Sequence, residues 1–208
     1  MTTDREKLLS CYSDKTRPSL LSEEHIFNAD DCLYKTYLNI FDRHEENHWM
    51  PSSIDFKKDV ADWNRKLKDD EKAILSDFLK FFTQADVGVH DGYANVLKPT
   101  FSGIKAIEFT LGSIENREAV HCRAYSMLLN QLGFKTSDFL EFMEIPVMKK
   151  KEDYVLEFHG DTPENVAKTL AVFGAFVEGI QLFSSFAMMM NFSRFNSFPA
   201  WRRWLNGA

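Results

Sequence analysis

The chain has 208 residues, 44% hydrophobic and 27% charged, enough for one domain with a sizeable core. A net charge of −6 gives no electrostatic footprint for nucleic acid or an anionic membrane surface, so neither is expected as a partner. Cys11, Cys32 and Cys122 are odd in number and widely spaced, which excludes a disulfide framework or a zinc cage and fits a reducing, cytoplasmic compartment. Met1 to Arg5 leads into charged residues without an apolar run, so no secretory signal is expected. Nineteen phenylalanines point to a core filled largely by aromatic side chains.

In chain order, residues 1–30 are polar, broken by Pro18, and read as an arm over the domain. From Asp31 to Glu46, Leu33, Tyr37, Ile40 and Phe41 recur at helical spacing. His48-Trp49-Met50-Pro51 breaks that helix at the proline. A short helix over 55–67 carries Trp63 inward, and Asp69 or Asp70 caps a long helix over about 70–97. Phe78, Phe82, Val89 and Tyr93 share one face of that helix, and Asp86 stands in the middle of it. Pro99 and Gly103 mark a turn before a second long helix over about 104–132, closed by Gly133.

Thr136 caps a shorter helix with Phe139, Phe142 and Met143. Pro146, Lys149-Lys150-Lys151 and Gly160 make the least regular stretch, and the lysines read as a solvated loop. Thr162-Pro163 starts the next helix. Val166 to Phe192 is apolar and long enough to span a bilayer, but Glu178 at its centre would be costly in lipid. A buried bundle helix is the better reading. Residues 193–208 change character, with Pro199 followed by Trp201-Arg202-Arg203-Trp204.

The chemistry concentrates in Arg117-Glu118-Ala119-Val120-His121-Cys122-Arg123-Ala124-Tyr125. Glu118 and His121 share a helix face, Tyr125 lies four residues on, and Ile114 and Leu129 make the row apolar. An isolated Glu-x-x-His is more often a surface acid beside a core histidine. Here Asp86, Glu118 and Glu178 each stand on the apolar face of a separate long helix, and buried carboxylates need a cation. Carboxylates with an imidazole suit iron or manganese. His-Glu-x-x-His is missing, which excludes a zincin, and no Gly-x-Ser-x-Gly elbow points to a serine hydrolase.

These segments resemble the small, radical-generating subunit of class I ribonucleotide reductase. Phe81-Phe82-Thr83-Gln84-Ala85-Asp86-Val87 looks like its first-ligand helix. The 117–125 stretch looks like its bridging Glu, His ligand and radical-bearing Tyr. Glu178-Gly179-Ile180-Gln181-Leu182-Phe183-Ser184-Ser185-Phe186-Ala187 looks like the helix of the third carboxylate, and Trp49 stands at the place of its relay tryptophan. The resemblance implies an all-α, ferritin-like helical bundle over residues 31–192, with 193–208 a divergent tail. It implies a di-iron site (manganese possible) held by Asp86, Glu118, His121 and Glu178, and an oxidised Tyr125 kept in a dry apolar pocket. Trp49 would relay the radical to a large catalytic subunit that makes deoxyribonucleotides, within a homodimeric assembly.

The family's second Glu-x-x-His has no match after Glu178. The bundle is therefore expected to be incomplete at its C-terminus and to need a complementary polypeptide, as in a split small subunit. Two other readings stand beside this one: a non-catalytic remnant that binds an intact small subunit, and a ferritin-like metal-binding module without radical chemistry.

Overall fold

In the computed structural model residues 27–31, 34–156, 162–193 and 199 are described, apart from the side chains of Asp31, Phe142, Glu152, Val155, Leu156, Glu178, Gln181 and Ser193. Among these residues the chain is helical and has no strand. The helices are α1 (Lys35–Glu46), α2 (Lys57–Arg65), α3 (Asp69–Gly92), α4 (Lys105–Gln131), α5 (Thr136–Met143), α6 (Pro146–Leu156), α7 (Pro163–Ala171) and α8 (Phe183–Ser193). Two π-helical stretches interrupt the α geometry: Tyr93–Leu97 continues α3, and Val172–Leu182 joins α7 to α8.

Helix ends follow local chemistry. Lys68 precedes α3 and its N–H donates to Glu71 at 2.9 Å, while Asp69 and Asp70 lie inside the first turn, where acids favour the helix dipole. The cap thus differs from the sequence expectation by one residue. Gly133 at φ 91 closes α4, a conformation that glycine adopts without steric cost. Thr162 accepts the Asn165 N–H at 3.2 Å and Pro163 opens α7, as its sequence implies.

Helices α3 and α4 pack along one another, α1 lies on α4, and α5 and α6 lie on α3. Their apolar faces build two clusters. One gathers Phe56, Trp63, Leu75, Leu79, Phe82, Tyr125, Leu128 and Leu129, with Phe186 against it. The other gathers Val89, Tyr93, Leu97, Ile107, Leu111, Phe173 and Val177. On α3, Phe82 belongs to the first and Val89 to the second; on α4, Tyr125 belongs to the first and Leu111 to the second. Residues 86 and 118–121 fall between them.

Three expectations need correction. The inward residue of α1 is Leu38, whereas Tyr37 and Ile40 are each 38% exposed, because α1 covers only one flank of α4. Lys149-Lys150-Lys151 lies in helix α6, not in a loop; Pro146 opens that helix, and Lys151 Nζ stands 5.0 Å from the Phe81 ring centroid. The segment from Val166 to Phe192 is buried on one side only: Val166, Phe173, Val177 and Met189 face the core, while Phe176, Ile180 and Phe183 are 58%, 60% and 71% exposed. No helix among the described residues is long and apolar enough to cross a membrane. Trp201, Trp204, Cys11 and Cys32 lie outside the described residues.

Candidate metal centre

Helix α3 supplies Asp86 and helix α4 supplies Glu118 and His121, one helical turn apart on the same face. Asp86 is 1% and Glu118 4% exposed. His121 Nδ1 lies 3.4 Å from Glu118 Oε2 and 3.6 Å from Asp86 Oδ2. One ligand atom from each of the three falls within 4.8 Å of the other two. Two carboxylates on an imidazole in an apolar seam put negative charge where water is scarce, which a cation offsets. The donor set, oxygen with one imidazole nitrogen, fits iron or manganese.

The surrounding residues record the same charge. Burial, with help from the Asp86 and Glu118 carboxylates, pushes the Cys122 thiol up to about 12. Cys122 is a thiol in this setting, donating to the Thr83 carbonyl at 3.7 Å.

The aromatic residues singled out in the sequence border this cluster. The Trp49 indole stacks on the His121 imidazole, with centroids 5.9 Å apart and planes 25° apart. Tyr125 is 1% exposed and stacks on Phe82 at 5.5 Å, and Phe82 in turn meets Phe186 at 5.1 Å. Tyr125 thus lies in a buried, largely apolar cluster with Phe82 and Phe186. Glu178 lies in the π-helical stretch of residues 172–182, but its side chain is outside the described set.

Sequence reasoning left two features of the site unassigned. Arg117, 5% exposed, donates from Nη1 to the Asn47 carbonyl at 3.0 Å and from Nη2 to the His44 carbonyl at 2.9 Å. Beside it, Ser113 Oγ donates to Glu45 Oε1 and pairs with His44 Nδ1 at 2.6 Å, which fixes the His44 proton on Nδ1. Burial and the Arg117 charge hold His44 below its ordinary pKa. Neither feature has a sequence signature, because the partners lie about seventy positions away, as in the separation of 70 between Arg117 and Asn47.

A helical bundle that sets an Asp and a Glu-x-x-His pair between two apolar clusters, with a buried tyrosine in one of them, fits the carboxylate-metal class of ferritin-like proteins. Comparison with known proteins gives the family. Residues 26–203 match the model of the "Ribonucleotide reductase, small chain" family, and this chain belongs to that family. It is 35% identical over 173 residues to the probable ribonucleoside-diphosphate reductase small subunit 376L of Invertebrate iridescent virus 6, covering 76% of this chain and 48% of that one. With the 048L small subunit of Invertebrate iridescent virus 3 it shares 36% over 171 residues, 74% of this chain and 45% of that one. The chain thus spans about half the length of these relatives.

Solved structures agree on the fold. A putative class I ribonucleotide reductase from Bacillus halodurans superposes with a TM-score of 0.72 at 17% identity, over 80% of this chain and 61% of that one. The R2-like ligand-binding oxidase from Sulfolobus acidocaldarius gives 0.70 at 22%, over 82% and 65%. A variant R2-like ligand-binding oxidase with a reconstituted Mn/Fe cofactor gives 0.68 at 19%, over 82% and 65%.

Proposed function

We propose that this chain supplies one part of the di-metal and radical apparatus of a ribonucleotide reductase small subunit. The observation that carries the reading is the buried Asp86, Glu118 and His121 cluster, three ligand atoms within 4.8 Å. In this reading those three hold the first iron or manganese ion, and Glu178 adds a carboxylate from the neighbouring helix. Bound there, the metal pair supplies oxidising power. The Mn/Fe cofactor of the oxidase of the same fold favours keeping manganese beside iron.

The chain's own residues then have distinct tasks. Tyr125 gives up an electron and a phenolic proton, and Phe82 and Phe186 keep water from the oxidised ring. Trp49, stacked on His121, is the exit toward a large catalytic subunit that reduces ribonucleotides to deoxyribonucleotides. The domain carrying this work is residues 31–192, with an arm before it and a divergent tail after it, in a homodimeric cytoplasmic assembly.

The second Glu-x-x-His is absent from residues 179–208, so in this reading it comes from other polypeptide, whether further residues of a longer chain or a separate complementary one. Phe176, Ile180 and Phe183, spaced four and three apart, form an outward apolar stripe on the helix of Glu178. The complement covers that stripe.

The test is an electron paramagnetic resonance spectrum after anaerobic ferrous loading and exposure to air. The samples are the chain alone and the chain mixed with the part of the 376L small subunit that follows its match. A tyrosyl signal that needs the mixture and vanishes in Tyr125→Phe supports the proposal. A signal from the chain alone overturns the need for a complement. A mixture that is silent, or active despite Asp86→Ala, leaves a remnant. One that binds iron through Asp86 and is indifferent to Tyr125→Phe is a metal-binding module.

A further inference from the structure

We propose that Arg117 is a positioning residue: it sets where Trp49 stands on His121 by holding the backbone carbonyls of His44 and Asn47. The inference rests on the reading of Trp49 as the exit from the site, and it adds the group that fixes that exit in place.

The argument begins at the end of α1. A helix leaves its last carbonyls without intrahelical partners. Here one guanidinium takes two of the carbonyls at the end of α1, at 3.0 and 2.9 Å, from a neighbouring helix. Arg117 and His121 are i and i+4 on α4, so they project from the same face one turn apart. The chain leaving α1 runs along that face. Its Asn47 carbonyl meets Arg117, and two residues later its indole meets His121 at 5.9 Å.

Two residues of backbone span roughly 7 Å at most. Once the Asn47 carbonyl is fixed, the indole has little freedom left. The far side of Trp49 is fixed as well, because Pro51 is buried and the Ser53 and Ile54 N–H groups close a tight turn on Met50 and Pro51.

Charge pairing alone does not explain this arrangement. The Glu45 and Glu118 carboxylates act on the buried Arg117 charge, yet its two hydrogen bonds go to backbone carbonyls, and Nε has no hydrogen-bond partner among the described residues. A glycine after the last turn closes a helix with no buried charge. What the arginine adds is geometry: a planar fork that holds two carbonyls at once, which lysine cannot reproduce.

The experiment labels the full 208-residue chain with 5-fluorotryptophan and records fluorine NMR; Trp49→Phe identifies the Trp49 line. We expect Arg117→Met to move the Trp49 line toward its denatured position while the Trp63 line stays. We expect Arg117→Lys, which keeps the charge but loses the fork, to shift it part of the way. Leu38→Ala serves as the control that loosens α1 without touching the clamp, and it leaves the Trp49 line in place. A Trp49 line unmoved by both arginine variants overturns the proposal, as does one that moves equally in Leu38→Ala. Should Arg117→Met fail to fold, Arg117→Lys decides alone. The readout needs no metal, so it is separate from the relay itself: full ribonucleotide reduction by a reconstituted Trp49→Phe subunit would remove the relay and leave the placement of Trp49 by Arg117 standing.

Discussion

Gly92 offers a case in which two physical effects oppose each other and the structure decides the sign. It ends α3 with helical dihedrals, φ −61 and ψ −45, and the helix continues through the π-helical stretch beyond it. On propensity alone, Gly92→Ala should stabilise the chain by about 1 kcal/mol. A Cβ placed there runs into Phe173 Cζ and falls 2.8 Å from Cε1. Phe173 is 1% exposed and sits among Tyr93, Leu111 and Val177, so its ring cannot swing into solvent. Restoring ordinary contact means shifting the ring, or the whole 172–182 stretch, by roughly 1 Å, and overpacking of this kind costs about 1–3 kcal/mol. The expected net is a loss of about 0–2 kcal/mol in urea unfolding. The double variant Gly92→Ala with Phe173→Leu should recover part of it as a coupling energy. A stabilisation of Gly92→Ala by the full helix-propensity gain would refute the close approach of Phe173. The contact matters beyond stability because it joins the helix of Asp86 to the stretch that carries Glu178.

Other expectations follow from single groups. Phe82 is wholly buried against Phe78, Phe81, Tyr125 and Phe186, so Phe82→Ala should cost about 3–5 kcal/mol in urea unfolding. In a Cys11→Ser, Cys32→Ser background, iodoacetamide at about pH 8 should alkylate Cys122 slowly in the native chain and rapidly in denaturant, because the native thiol titrates near 12. Burial works to raise the Glu108 carboxyl, but the Lys105 ammonium and the Gly103 N–H hold it below its ordinary value. That contribution is present above the unfolded carboxyl pKa and lost as pH falls through the folded one. Glu108→Gln should therefore cost about 0.5–1 kcal/mol at neutral pH and nothing in strong acid. Manganous ion should raise the melting temperature of the chain, with a linkage gain of about 2.7 kcal/mol at a hundred times Kd, and Asp86→Asn should abolish the rise.

The parts of the fold that sequence made visible are those with a helical period and a polar exception. Asp86 between Phe82 and Val89, and Glu118 and His121 between Ile114 and Tyr125, stand out because an apolar face repeats every three to four residues. The same rule misplaced the inward residue of α1, where Tyr37 and Ile40 face outward and Leu38 inward, because α4 covers a narrow flank rather than the wide face the pattern suggests. The lysine run of α6 has no such period. Only the tertiary neighbour Phe81, under the Lys151 ammonium, explains its placement. Arg117 was invisible for a different reason. Its partners are backbone carbonyls, which every residue has, on a segment about seventy positions upstream.

The position of the site explains why its polar residues and its outward stripe belong to one problem. Asp86, Glu118 and His121 interrupt what would otherwise be a continuous core between the Phe82 and Val89 clusters. Apolar residues there would merge the clusters and stabilise the chain, so the polar set is a cost that, under the proposed function, bound metal offsets. Two of the three carboxylate-bearing helices, α3 and α4, are fixed by their mutual packing. The third segment is held on one face by Phe173 and Val177, and its other face presents Phe176, Ile180 and Phe183. Under the proposed function, the complement that covers that stripe also fixes the backbone that carries Glu178. Under the proposed function, metal binding and capture of the complement are then two ligands of one helix, and each must tighten the other by the same factor.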